Sequence, residues 1–193
     1  KPIPTKPGQE KDDTDLFIDS DQFPPGTVEI EIVFISQMGD IFNRPMLAEN
    51  ITEGIIKKIE VTRSRIAEYP SQKTAAIEFT DTGIHIYGLT TLCGDMITKL
   101  GGSVLESRHP MISEEELIQN DPDVIFVIYR SREEEDMARS RFSDSDSELR
   151  DLTAVKNGRV YGIPFRDTEA AAVHTAGGLS RISHGLYPDL WNK

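Results

Sequence analysis

Apolar side chains recur about every four residues in the first third of the chain, a pattern typical of a helix that packs on one side. This stripe predicts one continuous helix from Met46 to Ile66, and Pro70 prevents the helix from running further. The stripe consists of Leu47, Ile51, Ile55, Ile59 and Ile66. Upstream, residues 28–42 fit either a strand or a helix, because apolar side chains occur there at both spacings.

Beyond residue 70, short apolar runs alternate with helical patterns. The runs predict strands at 75–79, 84–87, 124–128 and 159–163. The stretches between and after them predict helices at about 91–100, 113–121, 149–155 and 175–186, with another helix and a loop within 130–150. Ser113 and Glu116 have the spacing of a capping box, which marks the start of one helix.

The alternation of strands and helices predicts an α/β fold. Val124–Ile128 is apolar throughout, which is typical of a parallel strand buried on both faces. We therefore expect residues 75–191 to form one three-layer αβα sandwich with a central, mainly parallel sheet, preceded by the long helix. Residues 1–27 are rich in proline and acidic side chains, which predicts a flexible tail or linker.

Charge and cysteine content exclude several classes of function. The formal net charge is −12, from 33 acidic and 21 basic side chains, so nucleic acid is not an expected partner. The single Cys93 excludes an internal disulfide and a multi-cysteine metal site, and its helical surroundings predict a buried structural thiol. No apolar stretch approaches the ~20 residues of a membrane span, and no signal peptide opens the chain, which leaves its location undetermined.

The sequence contains no constellation that indicates catalysis. There is no G-x-S-x-G, P-loop, G-x-G-x-x-G or H-E-x-x-H motif, so we expect no enzyme activity and assign no catalytic residue, metal site or cofactor. The four histidines are scattered along the chain. His109 and His174 fall in predicted loops at the ends of elements, where ligand contact and a plain loop position are equally open. His85 and His184 are expected to be ordinary structural or surface residues.

Several segments in the second half resemble, in order, those of one family. They are Tyr87–Gly88, Gly94–Met96, Leu100–Gly102, Ile112–Leu117, Asn120–Ile125, Ala154–Tyr161 and Gly185–Leu190. The ordered set is similar to the substrate-binding proteins of ABC importers for metal chelates, which include iron-siderophore, haem and cobalamin binders. On this resemblance, residues 28–70 are the end of an N-terminal lobe plus a long bridging helix. Residues 71–193 are then the C-terminal α/β ligand-binding lobe.

The resemblance implies capture of a ligand rather than chemistry. Ligand would lie in a cleft at the carboxyl ends of the strands, where open α/β sheets bind their ligands. The expected ligand-binding residues in this lobe are Tyr87, Arg108, His109, Arg166 and His174. Aromatic faces suit a macrocycle or catecholate and arginines suit anionic chelates, whereas we expect Arg130 only to balance nearby acids. For haem, His174 is the expected contact to iron.

The same resemblance implies the partners and the location. The partners are a small-molecule metal chelate and an ABC permease dimer, with Glu115 as the permease-docking residue. The protein would be extracytoplasmic, either periplasmic or a lipoprotein on the outer face of the cytoplasmic membrane. Residues 1–27 are too short for an N-terminal lobe, so the chain is expected to be a fragment or a one-lobed protein.

Other classes of protein stay open on the sequence alone. The chain could be a standalone α/β interaction domain or an enzyme module separated from its partner domain. It could also be a zinc- or manganese-binding protein of a related importer family, which would require a clustered His, Glu and Asp site.

Overall fold

The computed structural model describes residues 26–169 and 174–191, so the predicted tail lies outside the described residues except for its last two. The helices are α1 Val28–Ile41, α2 Pro45–Arg65, α3 Leu92–Lys99, α4 Glu114–Asn120, α5 Arg132–Ser143, α6 Thr153–Lys156 and α7 Thr175–Leu186. The strands are β1 Lys73–Thr80, β2 Gly83–Ile86, β3 Ser103–Val104, β4 Met111–Ile112, β5 Val124–Tyr129 and β6 Val160–Pro164. Short 3-10 turns occupy Glu148–Asp151, Phe165–Asp167 and Pro188–Leu190.

The strands form one sheet in the order β4-β2-β1-β5-β6, with β3 beside the first residues of β1. Strands β3 and β5 run parallel to β1, and β6 runs parallel to β5, whereas β2 is antiparallel to both β1 and β4. The sheet is therefore mainly parallel, as predicted, with one reversed strand that follows a tight turn after β1.

Helices cover both faces of the sheet. On one face, α1, α2, α3 and α7 share a core with Ala76 and Phe126 of the strands. On the other face, α5, α6 and the turn before α6 share a core with Ala75 and Ile125. Adjacent strand residues thus point into different cores, which is the geometry of a strand buried on both sides. The predicted three-layer sandwich is confirmed.

Local capping residues determine where the helices of the sandwich begin. The Thr91 hydroxyl accepts a hydrogen bond from the Gly94 N–H at the start of α3. Ser113 and Glu116 form the predicted capping box, in which each side chain accepts from the other residue's backbone N–H. The segment expected to form one helix over 149–155 instead divides into a 3-10 turn and the short α6.

The open alternative for residues 28–42 is resolved in favour of a helix. α1 packs along α2, and Gly39 lets the two helices approach so closely that a Cβ there would lie 2.4 Å from the Ala48 Cβ. α2 is one continuous helix, as predicted. Its stripe is not uniformly buried, however: Ile55 is fully buried, but Leu47 is 58% exposed. The expectation that Leu47 packs on the sandwich is wrong. The first turns of α2 extend beyond the sandwich, so Leu47 is left at the surface.

Candidate functional site

The carboxyl ends of the parallel strands meet along one edge of the sheet. The register pairs Ile77 of β1 with Val127 of β5, and Tyr129 of β5 with Pro164 of β6. The segments that follow these strands therefore lie side by side, which is where open α/β sheets place their binding sites. Two networks of charged and aromatic side chains occupy this edge.

The first network joins the ends of β1, β2 and β5. The Tyr87 hydroxyl donates to Glu78 at 2.5 Å, and Glu78 also pairs with the guanidinium of Arg130. That guanidinium lies over the Phe165 ring, 3.9 Å from its centroid. His85 packs edge-on against Tyr87 at 4.7 Å. Burial raises the pKa of Tyr87 well above its usual range, so the phenol remains a hydrogen-bond donor.

The second network is centred on Asp167, which is buried after β6. Its carboxylate lies 2.9 Å from Arg181 Nε, 3.6 Å from Arg166 Nε and 3.9 Å from His174 Nδ1. The backbone at Asp167 also packs closely against α7. A Cβ at Gly178 would lie only 1.9 Å from the Asp167 carbonyl oxygen. The turn Phe165–Asp167 and α7, called here the β6–α7 corner, thus bring together three side chains whose ends are exposed.

Glu169 links this corner to the start of α3. Its Oε1 accepts a hydrogen bond from the Cys93 N–H at 3.1 Å. Burial raises the pKa of Glu169 to about 7, and the hydrogen bond from Cys93 and the charge of Arg130 only partly oppose the rise. Burial likewise raises the pKa of the Cys93 thiol, which is consistent with the predicted structural role rather than a nucleophile.

A shallow concavity opens at this edge beside the two networks. It encloses about 360 Å³ at the ends of β5 and β6. It is lined by Tyr129, Arg130, Ser131, Arg132, Glu135, Pro164, Phe165 and Arg166. Its walls thus combine aromatic faces with guanidinium groups, which is a surface suited to a flat or anionic ligand.

The predicted site residues are only partly brought together. Arg166 and His174 meet at Asp167, and Tyr87 belongs to the neighbouring network, although the Tyr87 side chain is largely buried. Arg108 and His109 lie on the exposed segment between β3 and β4, so they do follow a strand. This segment runs beside the end of β2, because the Ile86 N–H donates to the Pro110 carbonyl at 2.8 Å.

Four site residues were not identified from the sequence, namely Glu78, Asp167, Glu169 and Arg181. Glu78 is the one polar side chain between two apolar ones near the end of a predicted strand, and this interruption could have drawn attention to it. The acidic residues at 167 and 169 follow the last strand. Residues at this position often belong to a binding site, so their place in the sequence could also have indicated them. Arg130 was expected to balance acids, and it does pair with Glu78.

Glu115 lies in the first turn of α4, directly after the carboxyl end of β4. It is exposed, and its Oε1 accepts from Gln119 Nε2 at 3.1 Å. Its neighbours have other partners: Glu114 pairs with Arg141 at 2.9 Å, and Glu116 closes the capping box. Among the described residues Glu115 has no ion pair, so its carboxylate faces solvent at the rim of the lobe.

Residues 26–169 and 174–191 show neither a candidate metal site nor a candidate membrane-spanning helix. No three His, Cys, Asp or Glu side chains come together as a candidate metal site in this part of the chain. None of the helices described there has the length and apolar character needed to cross a membrane.

Known proteins show the same arrangement of elements. A sequence model of the family described as periplasmic binding protein matches residues 32–166 of the 193. This match spans more than half of the chain and includes α2, β1, β5 and β6. The chain belongs to the periplasmic binding protein family.

Solved structures of this family superimpose well on the chain. A periplasmic binding protein from Veillonella parvula is 29% identical, with a TM-score of 0.80 over 86% of this chain and 52% of that one. S. aureus IsdE complexed with heme is 20% identical, with a TM-score of 0.67 over 84% and 66%. An ABC-type Fe3+-hydroxamate transport protein from Saccharomonospora viridis is 17% identical, with a TM-score of 0.70 over 83% and 56%. No curated protein sequence gives a significant match.

The chain thus spans between half and two thirds of the length of these relatives. The periplasmic binding protein family comprises substrate-binding proteins rather than enzymes, which agrees with the absence of catalytic motifs in the sequence. The two relatives below 25% identity establish the fold that the chain shares with them.

Proposed function

We propose that this chain is the C-terminal ligand-binding lobe, with the bridging helix, of a substrate-binding protein for an ABC importer. It captures an iron-siderophore, haem or cobalamin-like chelate and delivers it to a permease dimer from outside the cytoplasmic membrane. The observation that carries the proposal is the family match over residues 32–166, which contain the concavity at the carboxyl edge. The heme and Fe3+-hydroxamate named for two relatives favour a chelate as ligand.

The helical hairpin of α1 and α2 supports the assignment of residues 28–70 to a connection between lobes. Ile41, Phe42, Met46 and Leu47 are exposed together at the turn between the two helices. Apolar patches of this kind usually mark a packing surface. In the proposed protein, this tip forms the end of an N-terminal lobe that faces the described lobe across the cleft.

Ligand recognition in this lobe is by side chains that are already held in place. Arg166 and His174 project from Asp167 into solvent, and Tyr87 supports the floor through Glu78 and Arg130. Such preorganisation lowers the entropic cost of binding. The contribution of Arg108 and His109 stays a prediction, and it requires a ligand large enough to reach the segment before β4.

Ligand identity is testable directly with the full-length protein. Purified protein is titrated with haemin, cyanocobalamin, ferrioxamine B and ferric citrate, with absorbance and native mass spectrometry as readouts. We expect stoichiometric 1:1 binding of one class of chelate. Saturable binding of none of them, together with turnover of a substrate that is lost on mutation of one Ser, Cys or His, would overturn the proposal in favour of an enzyme module.

Glu115 is the proposed permease-docking residue. A solvent-facing carboxylate at the rim can pair with an arginine on a membrane subunit without breaking an ion pair among the described residues. We expect Glu115→Arg to abolish chelate uptake by cells while the affinity for the chelate is unchanged. Glu133→Arg, which alters an exposed acid in the first turn of α5, is the matched control and should transport normally. Normal uptake by Glu115→Arg would refute the assignment.

A further inference from the structure

Three basic side chains contact the Asp167 carboxylate. Each does so through the side-chain nitrogen that is nearest to its own backbone. The carboxylate lies closest to Nε of both Arg166 and Arg181 and to Nδ1 of His174. For both arginines the contact with the carboxylate is thus given by Nε rather than by a terminal Nη group. No hydrogen bond from these Nη groups exists within residues 26–169 and 174–191, and both arginine side chains are more than half exposed.

We propose that Arg166 and Arg181 form a binding site for a carboxylate group of the ligand, with Asp167 as the positioning residue. The inference rests on the proposed function and assigns the ligand an anionic group at the β6–α7 corner. A guanidinium held at Nε presents its two Nη groups as a planar fork, which is the geometry that binds a carboxylate in bidentate fashion.

The charge balance at this corner supports the assignment. Two guanidinium groups lie beside a single buried carboxylate, and within residues 26–169 and 174–191 neither arginine has a second ion-pair partner, in a chain whose net charge is −12. At the neighbouring network the balance is different, because Arg130 is paired with Glu78 and stacked on Phe165. Arg166 and Arg181 together therefore carry one more charge than the carboxylate they share.

The positions of Arg166 and Arg181 also support the proposed carboxylate site. Arg166 lines the concavity of about 360 Å³. Arg181 shares the Asp167 carboxylate with Arg166, because the Arg181 Nε lies 2.9 Å and the Arg166 Nε lies 3.6 Å from its oxygens. The 2.9 Å hydrogen bond from Arg181 Nε joins the turn at Asp167 to α7. A carboxylate would therefore meet a site that is already formed.

A first experiment detects the anion site without knowledge of the natural ligand. Side-chain signals of arginine are followed by NMR in this chain while citrate is added at constant ionic strength. We expect saturable shifts for Arg166 and Arg181, and none for Arg63, an exposed arginine near the end of α2. Asp167→Asn should weaken citrate binding. Equal, unsaturated shifts of all arginines would overturn the inference.

A second experiment tests selectivity in the full-length protein. Haemin is compared with haemin dimethyl ester, and ferric citrate with ferrioxamine B, so that each pair differs in free carboxylates. Arg181→Gln should lower the affinity for the carboxylate-bearing ligand of the bound pair about tenfold, which corresponds to the loss of one charged hydrogen bond. The affinity for the other ligand should be unchanged. Arg63→Gln is the control and should change neither.

The outcomes separate this inference from the proposed function. Asp167→Asn should change the ratio of affinities within a pair, whereas equal weakening of both members would reduce Asp167 to a structural role and refute its positioning role. Localised citrate shifts without binding of any chelate would retain the anion site and reject the chelate. Chelate binding with unaltered selectivity in Arg181→Gln would reject the anion site and retain the proposed function.

Discussion

The two ends of α2 lie in different environments. Near the middle of the helix, Ile55 is fully buried against the sandwich, which has a closed apolar core on each face of its sheet. At the amino end, Met46 is 77% exposed, and Phe42 of the preceding turn is 69% exposed. One continuous helix thus joins a self-contained sandwich to a tip whose apolar side chains have no cover within the described residues.

The difference shows that helical periodicity reports an apolar face but not what covers it. The same four-residue spacing gives a core residue at Ile55 and a surface residue at Leu47. Stability should therefore depend on the sandwich, whereas the tip is free to serve as a packing surface for another lobe. Four predictions test this division, beginning with the largest expected effect.

Ile55→Asp should destroy cooperative folding. It places an unpaired charge in a fully buried position between α2 and the sandwich, at a cost of about 4–5 kcal/mol or more, which is comparable to the whole stability of many domains. Urea denaturation followed by circular dichroism measures the loss. An unchanged midpoint would mean that α2 does not pack on the sandwich and would remove the comparison.

Gly178→Ala should destabilise the fold by about 2–3 kcal/mol, because the new methyl group would overlap the backbone of Asp167. Gly177→Ala is the matched control one residue away. Among residues 26–169 and 174–191, its Cβ would have no neighbour closer than 3.9 Å, so better helix propensity should stabilise the protein by about 0.5–1 kcal/mol. Equal effects in thermal denaturation would show that the β6–α7 corner is not rigid.

Glu169→Gln should make the sandwich less sensitive to pH. Because the folded-state pKa of Glu169, about 7, is above its unfolded value near 4.5, stability falls as the pH rises from about 4.5 to about 7, where the unfolded chain ionises more readily than the folded one. At pH 8 the variant should be more stable by about 1–2 kcal/mol, and at pH 5 the difference should be much smaller. Melting temperatures at both pH values show whether the substitution raises or lowers stability. Glu148→Gln, at an exposed position, is the control. Lower stability of Glu169→Gln at pH 8 would contradict the prediction.

Replacing the tip residues Phe42 and Leu47 by serine should have the smallest effect. Both side chains are mainly exposed, so the free energy of unfolding of the described chain should change by about 0.5 kcal/mol or less. In the full-length protein the same double substitution should lower stability more, because the proposed N-terminal lobe covers the tip. A large loss in the short chain would show that the tip stabilises itself.

Local sequence patterns predicted most elements of the fold. The strands at 75–79 and 124–128, the long α2 and the capping box at Ser113 follow from side chains close together in the sequence, and each occurs where it was predicted. The same patterns did not reveal β3 and β4, since strands of two residues contain no period to detect. Residues 28–42 fitted two periods, and packing against α2 selected the helix.

The site was less predictable, because its contacts join residues that are distant in the chain. Arg166 and His174 were expected to act at one place, but the buried carboxylate between them was not foreseen. Glu78 and Arg130 are 52 residues apart, and Asp167 and Arg181 are 14 apart on different elements. Sequence alone thus determined the longer strands and helices and their order, and it predicted the edge at which a ligand would bind. Only the tertiary structure decided which charges neutralise each other there, because an ion pair depends on distance in space rather than on spacing along the chain.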